Sequence, residues 1–127
     1  MAFNDAADQV KFREQEEQNT KQRANLLKIE YVDSRTLRDI PLATGIIDIE
    51  EMYKSKMVPI YATGSSYTFG ITIGTPQQVL KNIRSLHQDK IINFLMISNI
   101  GFKEFMLRFD PPVEVHYDDI SVSKEGA

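Results

Sequence analysis

The stretch YTFGITIGTPQQVLKNI, residues 67–83, joins a strand-like alternation to a helix-like pattern through a Gly-Thr-Pro corner. Such a corner could belong to a phosphate-binding loop. A Walker A loop needs glycines whose backbone surrounds the phosphates, a lysine that reaches them, and a Ser or Thr for magnesium. Gly70 and Gly74 are present, but no lysine follows them at the required position, and Pro76 removes a backbone N–H donor. The corner therefore does not predict a nucleotide site.

Helix capping explains the same corner. Gly74 would make the turn, Thr75 would be the N-cap residue, and Pro76 would take the first helical position, where a missing N–H costs nothing. Gln78 would complete a Thr-x-x-Gln capping box. We therefore expect the corner to start a helix, whose N-terminus could attract an anion only weakly.

Arg35 and Arg38 form the best basic pair in the sequence for an anionic ligand or an acidic partner. Arg35 lies near the end of the short extended segment IEYVDSRTL, and Arg38 directly follows that segment. The alternative is that both are ordinary surface charges. These two residues are the candidate ligand or partner contacts that the sequence offers.

The other titratable groups do not assemble into a site. The chain has no cysteine, which excludes thiolate nucleophiles and cysteine-ligated zinc. His87 and His116 have no Ser or metal-ligand partner at a diagnostic spacing, and Asp118 and Asp119 are adjacent acids in a polar tail. We therefore predict no catalytic residue, no metal site and no enzymatic activity for this chain.

The N-terminal segment, residues 1–23, is polar and rich in Glu, Gln and Lys. It can be helical, but its few bulky apolar groups can bury little surface. We expect a solvated, partly flexible helix that continues towards Leu27. Its acidic cluster of Glu14, Glu16 and Glu17 is predicted to face solvent.

The composition fits one compact domain. The chain has 127 residues, of which 42% are hydrophobic, and a net charge of −3. We predict a domain over residues 24–110 and a linker or tail over 111–127. The charge gives no broad positive field for nucleic acid, and the longest apolar cluster is too short to insert into a membrane.

Periodicity predicts the elements of that domain. Ile46, Ile49, Met52 and Tyr53 form a helical stripe that is expected to be buried, with Thr44 or Asp48 as the cap. VPIYATGSSYTFGITIG has the pattern of a β-hairpin, whose first strand is expected to lie at an edge of the sheet or to begin near Pro59. PQQVLKNIRSLHQ is a helix and KIINFLMIS a strand that is covered or paired on both sides.

NIGFKEFMLRF is predicted to be the last helix, capped by Ser98 or Asn99 and stopped by the Asp-Pro-Pro at 110–112. The order of elements indicates an α+β fold. We expect a small three-stranded, mainly antiparallel sheet with helices packed on one face, preceded by the polar N-terminal helix.

Four stretches between Leu26 and Phe109 resemble the N-terminal domain of the secretion and type IV pilus assembly ATPases. IEYVDSRTL is similar to the family's G-h-P-h-V-D-L pattern, where h is apolar. PLATGIIDIEEMYKSKMVPI is similar to its helix with a basic end that leads into a V-h-P-h strand. YTFGITIGTPQQVLKNI and KIINFLMISNIGFKEFMLRF are similar to its strand-to-helix passage and to its last strand, capped turn and helix.

Two departures from the family pattern stand out. The family's Asp-Pro corner is Thr75-Pro76 here, which preserves a capping side chain. A glycine usually stands where Ile29 or Glu30 falls, so the turn before the first strand is expected to differ.

The resemblance implies a function. In such motors the Walker motifs, with ATP and magnesium, lie in a C-terminal catalytic domain, and this chain stops before it. The chain would then be a non-catalytic regulatory and docking domain without a cofactor of its own. It would couple its C-terminal ATPase domain to pilus or secretion machine proteins, and would be cytoplasmic, peripheral to the inner membrane through those partners.

Two alternatives remain open. One is a small-ligand sensor that holds a cyclic dinucleotide through Arg35 or Arg38. Some relatives of the family bind cyclic di-GMP through a paired R-L-G-x-x-L-h-x-x-G motif, but this chain has no Arg-Leu-Gly, so cyclic di-GMP is disfavoured and no ligand residues are carried over. The other alternative is a dimerisation module whose N-terminal helix pairs with a second copy.

Overall fold

A four-stranded sheet lies at the centre of the protein, of which the computed structural model describes residues 6–113. Four helices surround the sheet, and a 3₁₀ turn follows the first strand. In chain order the elements are α1 (Ala6–Leu27), β1 (Glu30–Tyr31), the 3₁₀ turn (Ser34–Leu37), α2 (Ile49–Ser55), β2 (Met57–Ala62), β3 (Ser66–Ile71), α3 (Gln77–Leu86), β4 (Ile91–Met96) and α4 (Asn99–Phe109). The predicted α+β class and the N-terminal helix are confirmed.

The sheet is mixed, so the prediction of three mainly antiparallel strands is wrong in detail. The strand order is β1-β4-β3-β2. Strands β2 and β3 form the predicted antiparallel hairpin, whereas β4 runs parallel to both β3 and β1. The parallel pairing of β3 with β4 follows from α3, because a helix between two adjacent strands returns the chain to the end where the first strand began. The strand β1, with two residues, is too short to give a periodic signal.

Helices cover both faces of the sheet rather than one. Strand side chains alternate between the two faces, and each face has its own apolar cluster. The cluster under α2 and α4 contains Leu37, Met52, Val58, Ile60, Ile97, Phe102, Phe105 and Met106. The cluster under α1 and α3 contains Ala24, Met57, Phe69, Ile71, Ile83, Ile92 and Met96. The expectation of a single covered face is therefore wrong, because β2 and β4 direct apolar side chains towards both sides of the sheet.

The edge position of Pro59 is confirmed. Strand β2 lies at one end of the sheet order, and its register with β3 shifts between Pro59 and Tyr61. An edge strand tolerates a residue without a backbone N–H because only one of its sides needs a ladder of hydrogen bonds.

Two of the three predicted helix starts agree with the structure. Asp48 caps α2 by accepting the backbone N–H of Glu51 at 3.2 Å, and Ser98 caps α4 by accepting the backbone N–H of Gly101 at 2.9 Å. The Thr75–Gln78 capping box is wrong, because the N-cap of α3 is Pro76 and no side chain caps that helix.

The hydroxyl of Thr75 binds elsewhere. It donates to the Lys56 carbonyl at 2.8 Å and accepts the backbone N–H of Thr72 at 3.0 Å. The side chain of Gln78 donates to Asn82 Oδ1 one helical turn later, at 3.0 Å. Thr75 therefore links the end of β3 to the start of β2 instead of starting α3.

The prediction that the α1 carboxylates all face solvent is wrong for Glu17. Glu14 has a side chain that is 55% exposed, but Glu17 is 4% exposed. Thr20 and Ala24 follow Glu17 at helical spacing, and both are buried. One narrow stripe of α1 is therefore packed on the domain, although its residues are polar or small.

Some predictions concern residues outside 6–113. His116, Asp118 and Asp119 lie outside the described residues, as does most of the predicted linker or tail over 111–127. The domain limits at residues 23 and 110 remain predictions. Within residues 6–113, none of the helices has the length and apolar character needed to cross a bilayer.

Candidate functional site

A buried carboxylate joins α1 to the sheet and to α4. Glu17 Oε2 accepts Arg13 Nε at 2.7 Å and Ser98 Oγ at 2.6 Å, and Glu17 Oε1 accepts the hydroxyl of Tyr31. Burial and the hydrogen bond to Glu17 raise the pKa of Tyr31 above its usual value. Because each group in this cluster has a partner, its polar atoms can be buried without a large desolvation cost.

Arg13 extends the cluster to α4 and to the 3₁₀ turn. Its Nη1 donates to Glu104 Oε2 at 2.9 Å, and its Nη2 donates to Ser34 Oγ at 3.2 Å. Burial alone would lower the pKa of Arg13, but the hydrogen bonds to Glu104 and Glu17 outweigh it and raise that pKa. Arg13 thus remains a cation between two carboxylates, and fixes α1 against two other elements.

The first turn of α4 lies directly against the 3₁₀ turn. A Cβ added to Gly101 would overlap Ser34 Oγ and would lie 2.8 Å from Ser34 Cβ. Only glycine allows this approach without a shift of one element. The contact sets the position of α4 relative to Arg35 and Arg38, which belong to the same 3₁₀ turn and its end.

Arg35 is held by two carboxylates. Its Nη2 lies 2.7 Å from Asp33 Oδ2, and its Nη1 lies 2.9 Å from Glu14 Oε2. Asp33 Oδ1 also accepts the backbone N–H of Arg35 at 3.0 Å. The hydrogen bond from the Arg35 side chain lowers the pKa of Asp33, and the two carboxylates raise the pKa of Arg35.

Arg38 points to a different partner. It ends the 3₁₀ turn, its side chain is 60% exposed, and its Nη2 lies 3.5 Å from Glu104 Oε2. The structure thus places Arg35 beside α1 and Arg38 beside α4. The two predicted residues share a turn, but Arg35 pairs with Asp33 and Glu14, whereas Arg38 pairs with Glu104.

Two shallow grooves lie along α4. The first, with a volume of about 230 Å³, runs between α4 and the 3₁₀ turn and is lined by Arg38, Leu37, Phe105 and Arg108, among others. The second, of about 370 Å³, is lined by Tyr53, Lys56, Phe102, Lys103 and Met106. Leu107 belongs to both grooves and is 58% exposed, so it forms the ridge between them.

The linings of the two grooves are mainly apolar and cationic. The grooves offer apolar walls with cations at their rims, which suits contact with a partner side chain or a carboxylate.

Across residues 6–113, no group of three or more His, Asp or Glu side chains is placed to hold a metal ion. His87 is half-buried at the end of α3, with its ring edge-on to Tyr67 at 5.1 Å between centroids.

Residues that the sequence interpretation missed carry the main contacts of the region. Arg13, Glu17, Thr20 and Ala24 recur at intervals of four, three and four, which places them on one face of α1. This spacing was the available signal. It was missed because hydrophobic periodicity counts apolar residues, and three of these four residues are polar.

Comparison with known proteins gives a likeness of fold. No protein-family model and no curated protein matches the sequence. Among solved structures, the α+β fold is similar to that of the N-terminal domain of XpsE, with a TM-score of 0.57 and 14% sequence identity. The match covers 73% of this chain and 66% of the XpsE chain. This chain therefore spans somewhat less than two thirds of that neighbour, and the likeness shows a common fold.

Proposed function

We propose that this chain is a non-catalytic regulatory and docking domain of a type IV pilus assembly or type II secretion ATPase. The observation that carries the proposal is the likeness of fold to the N-terminal domain of XpsE, a type II secretion ATPase. The four sequence stretches between Leu26 and Phe109 that resemble this family support it independently. Fold and sequence pattern point to the same class of domain.

The work of such a domain is mechanical coupling. It would join its own C-terminal ATPase domain, which would hold ATP and magnesium, to proteins of the machine at the cytoplasmic face of the inner membrane. The described residues fit that role, since hydrogen bonds and ion pairs from Glu17 and Arg13 fix α1, the 3₁₀ turn and α4 to one another. A force applied at one of these elements would therefore reach the others.

The sensor alternative has less support. A phosphate contact needs free guanidinium donors. The guanidinium of Arg35 already forms ion pairs with Asp33 and Glu14. Binding a cyclic dinucleotide there would require breaking these pairs. Arg38 is more exposed but acts beside Glu104, which would repel a phosphate.

Dimerisation through α1 has little support as well. The exposed large apolar residues in the described part of α1 are Val10, Phe12, Leu26 and Leu27. They lie near its two ends and do not form the continuous stripe that a helix pair buries.

Binding between purified components tests the proposal. The full chain is immobilised and exposed to the cytoplasmic segments of the inner-membrane subunits of the host's secretion and pilus machines. We expect at least one segment to bind reversibly, and ATP not to be hydrolysed by the chain. The control is an unrelated α+β domain of the same net charge, and binding no stronger than to that control would reject the docking function.

A further inference from the structure

We infer that the outer face of α4 is the docking surface, and that its partner is an acidic amphipathic segment of another protein. This face, called the α4 face below, consists of Lys103 and Leu107 with Arg38 and Lys56 on either side. The inference rests on the proposed docking function, and adds to it the surface and the chemistry of the partner.

Leu107 gives the α4 face an apolar centre. It is 58% exposed although it lies between two grooves whose floors include Phe105 and Met106, which are buried. Tyr53 lines the second groove and is 47% exposed, so its predicted place in the buried stripe of α2 is wrong. A protruding leucine with a depression on each side can interdigitate with the ridges of a partner helix.

The charge of the α4 face is opposite to that of the whole chain. The two grooves are lined by four cations, Arg38, Lys56, Lys103 and Arg108, and by one carboxylate, Glu104. Glu104 is already paired with Arg13 and Arg38. The chain as a whole carries a net charge of −3, so this surface is a local basic region on an acidic protein.

Lys56 and Lys103 are available to a partner. Both are exposed, and neither forms a salt bridge with another residue of 6–113. Both also line a further depression beside Gly74 and Asn99. Arg108, in contrast, donates through Nη1 to the Leu37 carbonyl and through Nη2 to the Ile40 carbonyl, so part of its donor capacity already serves the domain.

The α4 face has a fixed shape. Ser98 caps α4 and binds Glu17, while Gly101 lies against Ser34. A surface that is ordered before binding loses little conformational entropy when the partner arrives. A rigid surface with a protruding apolar ridge, a groove on each side and separated cations suits a polypeptide with alternating carboxylates and bulky apolar groups better than a flat lipid headgroup layer.

Photo-cross-linking from position 107 identifies the molecule that binds the α4 face. The full chain is produced in host cells with the substitution Leu107→p-benzoylphenylalanine, and in parallel with the same photoreactive residue at Leu86. Leu86 is the matched control, because it is 73% exposed on α3, which packs on the other face of the sheet. We expect cross-links at position 107 to a segment of a machine subunit in which Asp or Glu alternates with large apolar residues, and few at position 86.

Charge reversal tests the electrostatic part. With the purified subunit so identified, Lys103→Glu should weaken binding about tenfold, while Lys81→Glu, an exposed lysine on α3, should change it less than about twofold. Changing the facing carboxylate of the partner to lysine should restore binding to Lys103→Glu. Circular dichroism confirms that each variant is folded.

The outcomes separate the two proposals. If a machine subunit binds the chain but position 107 cross-links no more than position 86, the docking function stands and the α4 face is wrong. If no subunit binds at all, the docking function fails and this inference fails with it. Cross-links to lipid, or a partner segment rich in Lys and Arg, would also overturn the inference. Binding to phosphatidylglycerol vesicles that is lost in Lys103→Glu would identify a membrane surface instead.

Discussion

Ser98 Oγ donates a hydrogen bond to Glu17 Oε2 at 2.6 Å, across 81 residues of sequence. The same oxygen accepts the backbone N–H of Gly101 at 2.9 Å. One hydroxyl therefore caps the last helix and anchors the first. This relationship explains why a helix of largely polar sequence packs on the domain. It also means that α1 helps to hold α4, and with it the proposed docking face, in position.

Loss of the Glu17 carboxylate should be strongly destabilising. In Glu17→Gln, Arg13 loses one of its two carboxylates, and Ser98 and Tyr31 lose a charged acceptor. We expect the free energy of unfolding to fall by about 3 kcal/mol, as when one partner of a buried ion pair is removed. Urea denaturation followed by circular dichroism measures this.

The matched control is Glu14→Gln, since Glu14 lies on the same helix as Glu17 but forms an exposed ion pair, with Arg35 of the 3₁₀ turn. Its cost should be less than about 1 kcal/mol. Equal losses in the two variants would mean that α1 is not anchored through Glu17.

Gly101→Ala should destabilise the contact between α4 and the 3₁₀ turn. The added methyl group would overlap Ser34, at a cost of about 1–3 kcal/mol, which exceeds the gain in helix propensity of about 1 kcal/mol. Thermal unfolding would show it as a lower Tm. Gly64→Ala is the control, because a Cβ there has no neighbour within 4 Å. Recovery of the Tm in the double variant with Ser34→Gly would assign the loss to this overlap, and a Tm equal to that of the native chain in Gly101→Ala alone would refute it.

Asp33 should stabilise the protein in a pH-dependent way. The pKa of Asp33 is lowered chiefly by the hydrogen bond from Arg35. The contribution of Asp33 to the free energy of unfolding is therefore complete above the unfolded-state pKa of about 3.8, and it is lost as the pH falls below that value. Asp33→Asn keeps an acceptor for the Arg35 backbone N–H but removes the charge. The difference in free energy of unfolding between the native chain and Asp33→Asn should therefore be largest near neutral pH and should shrink towards pH 3. A difference that stays constant over this range would contradict the assignment.

Tyr31 should titrate late. Its pKa is raised by burial and by Glu17, so its stabilising contribution is complete below the usual tyrosine pKa of 10.0 and is lost as the pH rises beyond it. The advantage in free energy of unfolding of the native chain over Tyr31→Phe should shrink above pH 10. Titration of phenolate absorbance should show that Tyr31→Phe lacks the tyrosine that ionises last in the native chain. If the native chain and Tyr31→Phe have the same titration curve at the highest pH, the buried hydrogen bond is contradicted.

Arg35 should not bind a cyclic dinucleotide. Calorimetric titration of the full chain with cyclic di-GMP is expected to give no saturable heat, because Arg35 is already paired with Asp33 and Glu14. Saturable heat that disappears in Arg35→Ala would instead favour the sensor alternative.

Much of the fold could be predicted from the sequence. The hairpin, α3 and α4 have clear periodicity. The cap at Ser98 and the edge position of Pro59 follow from the chemistry of each residue and its nearest neighbours in sequence. The parallel pairing of β1 with β4 could not be predicted, because two residues carry no pattern and their partners lie 65 positions away, as in Glu30 with Leu95. The prediction of Thr75 as the N-cap was wrong because its hydroxyl donates to the Lys56 carbonyl and accepts the backbone N–H of Thr72 instead.

The candidate site was harder to predict. Arg35 and Arg38 were found as charges, but their carboxylate partners Glu14 and Glu104 come from two different helices. The burial of Glu17 depends on Ser98 and Tyr31, which lie far away in sequence. Leu107 lies off the apolar stripe of Phe102, Phe105 and Met106, on the same side of α4 as Lys103, so helical spacing indicates its exposure. The two grooves beside it depend on Lys56, Tyr53 and Arg38, which come from other parts of the chain.

The most direct test of the docking function is calorimetric titration of the full chain with purified cytoplasmic segments of the inner-membrane subunits of secretion and pilus machines. We predict saturable binding to one such segment, at an affinity in the range of about 1–100 µM that is typical of transient assemblies and falls as salt is added. Absence of binding to every segment, with the chain shown to be folded, would contradict the account.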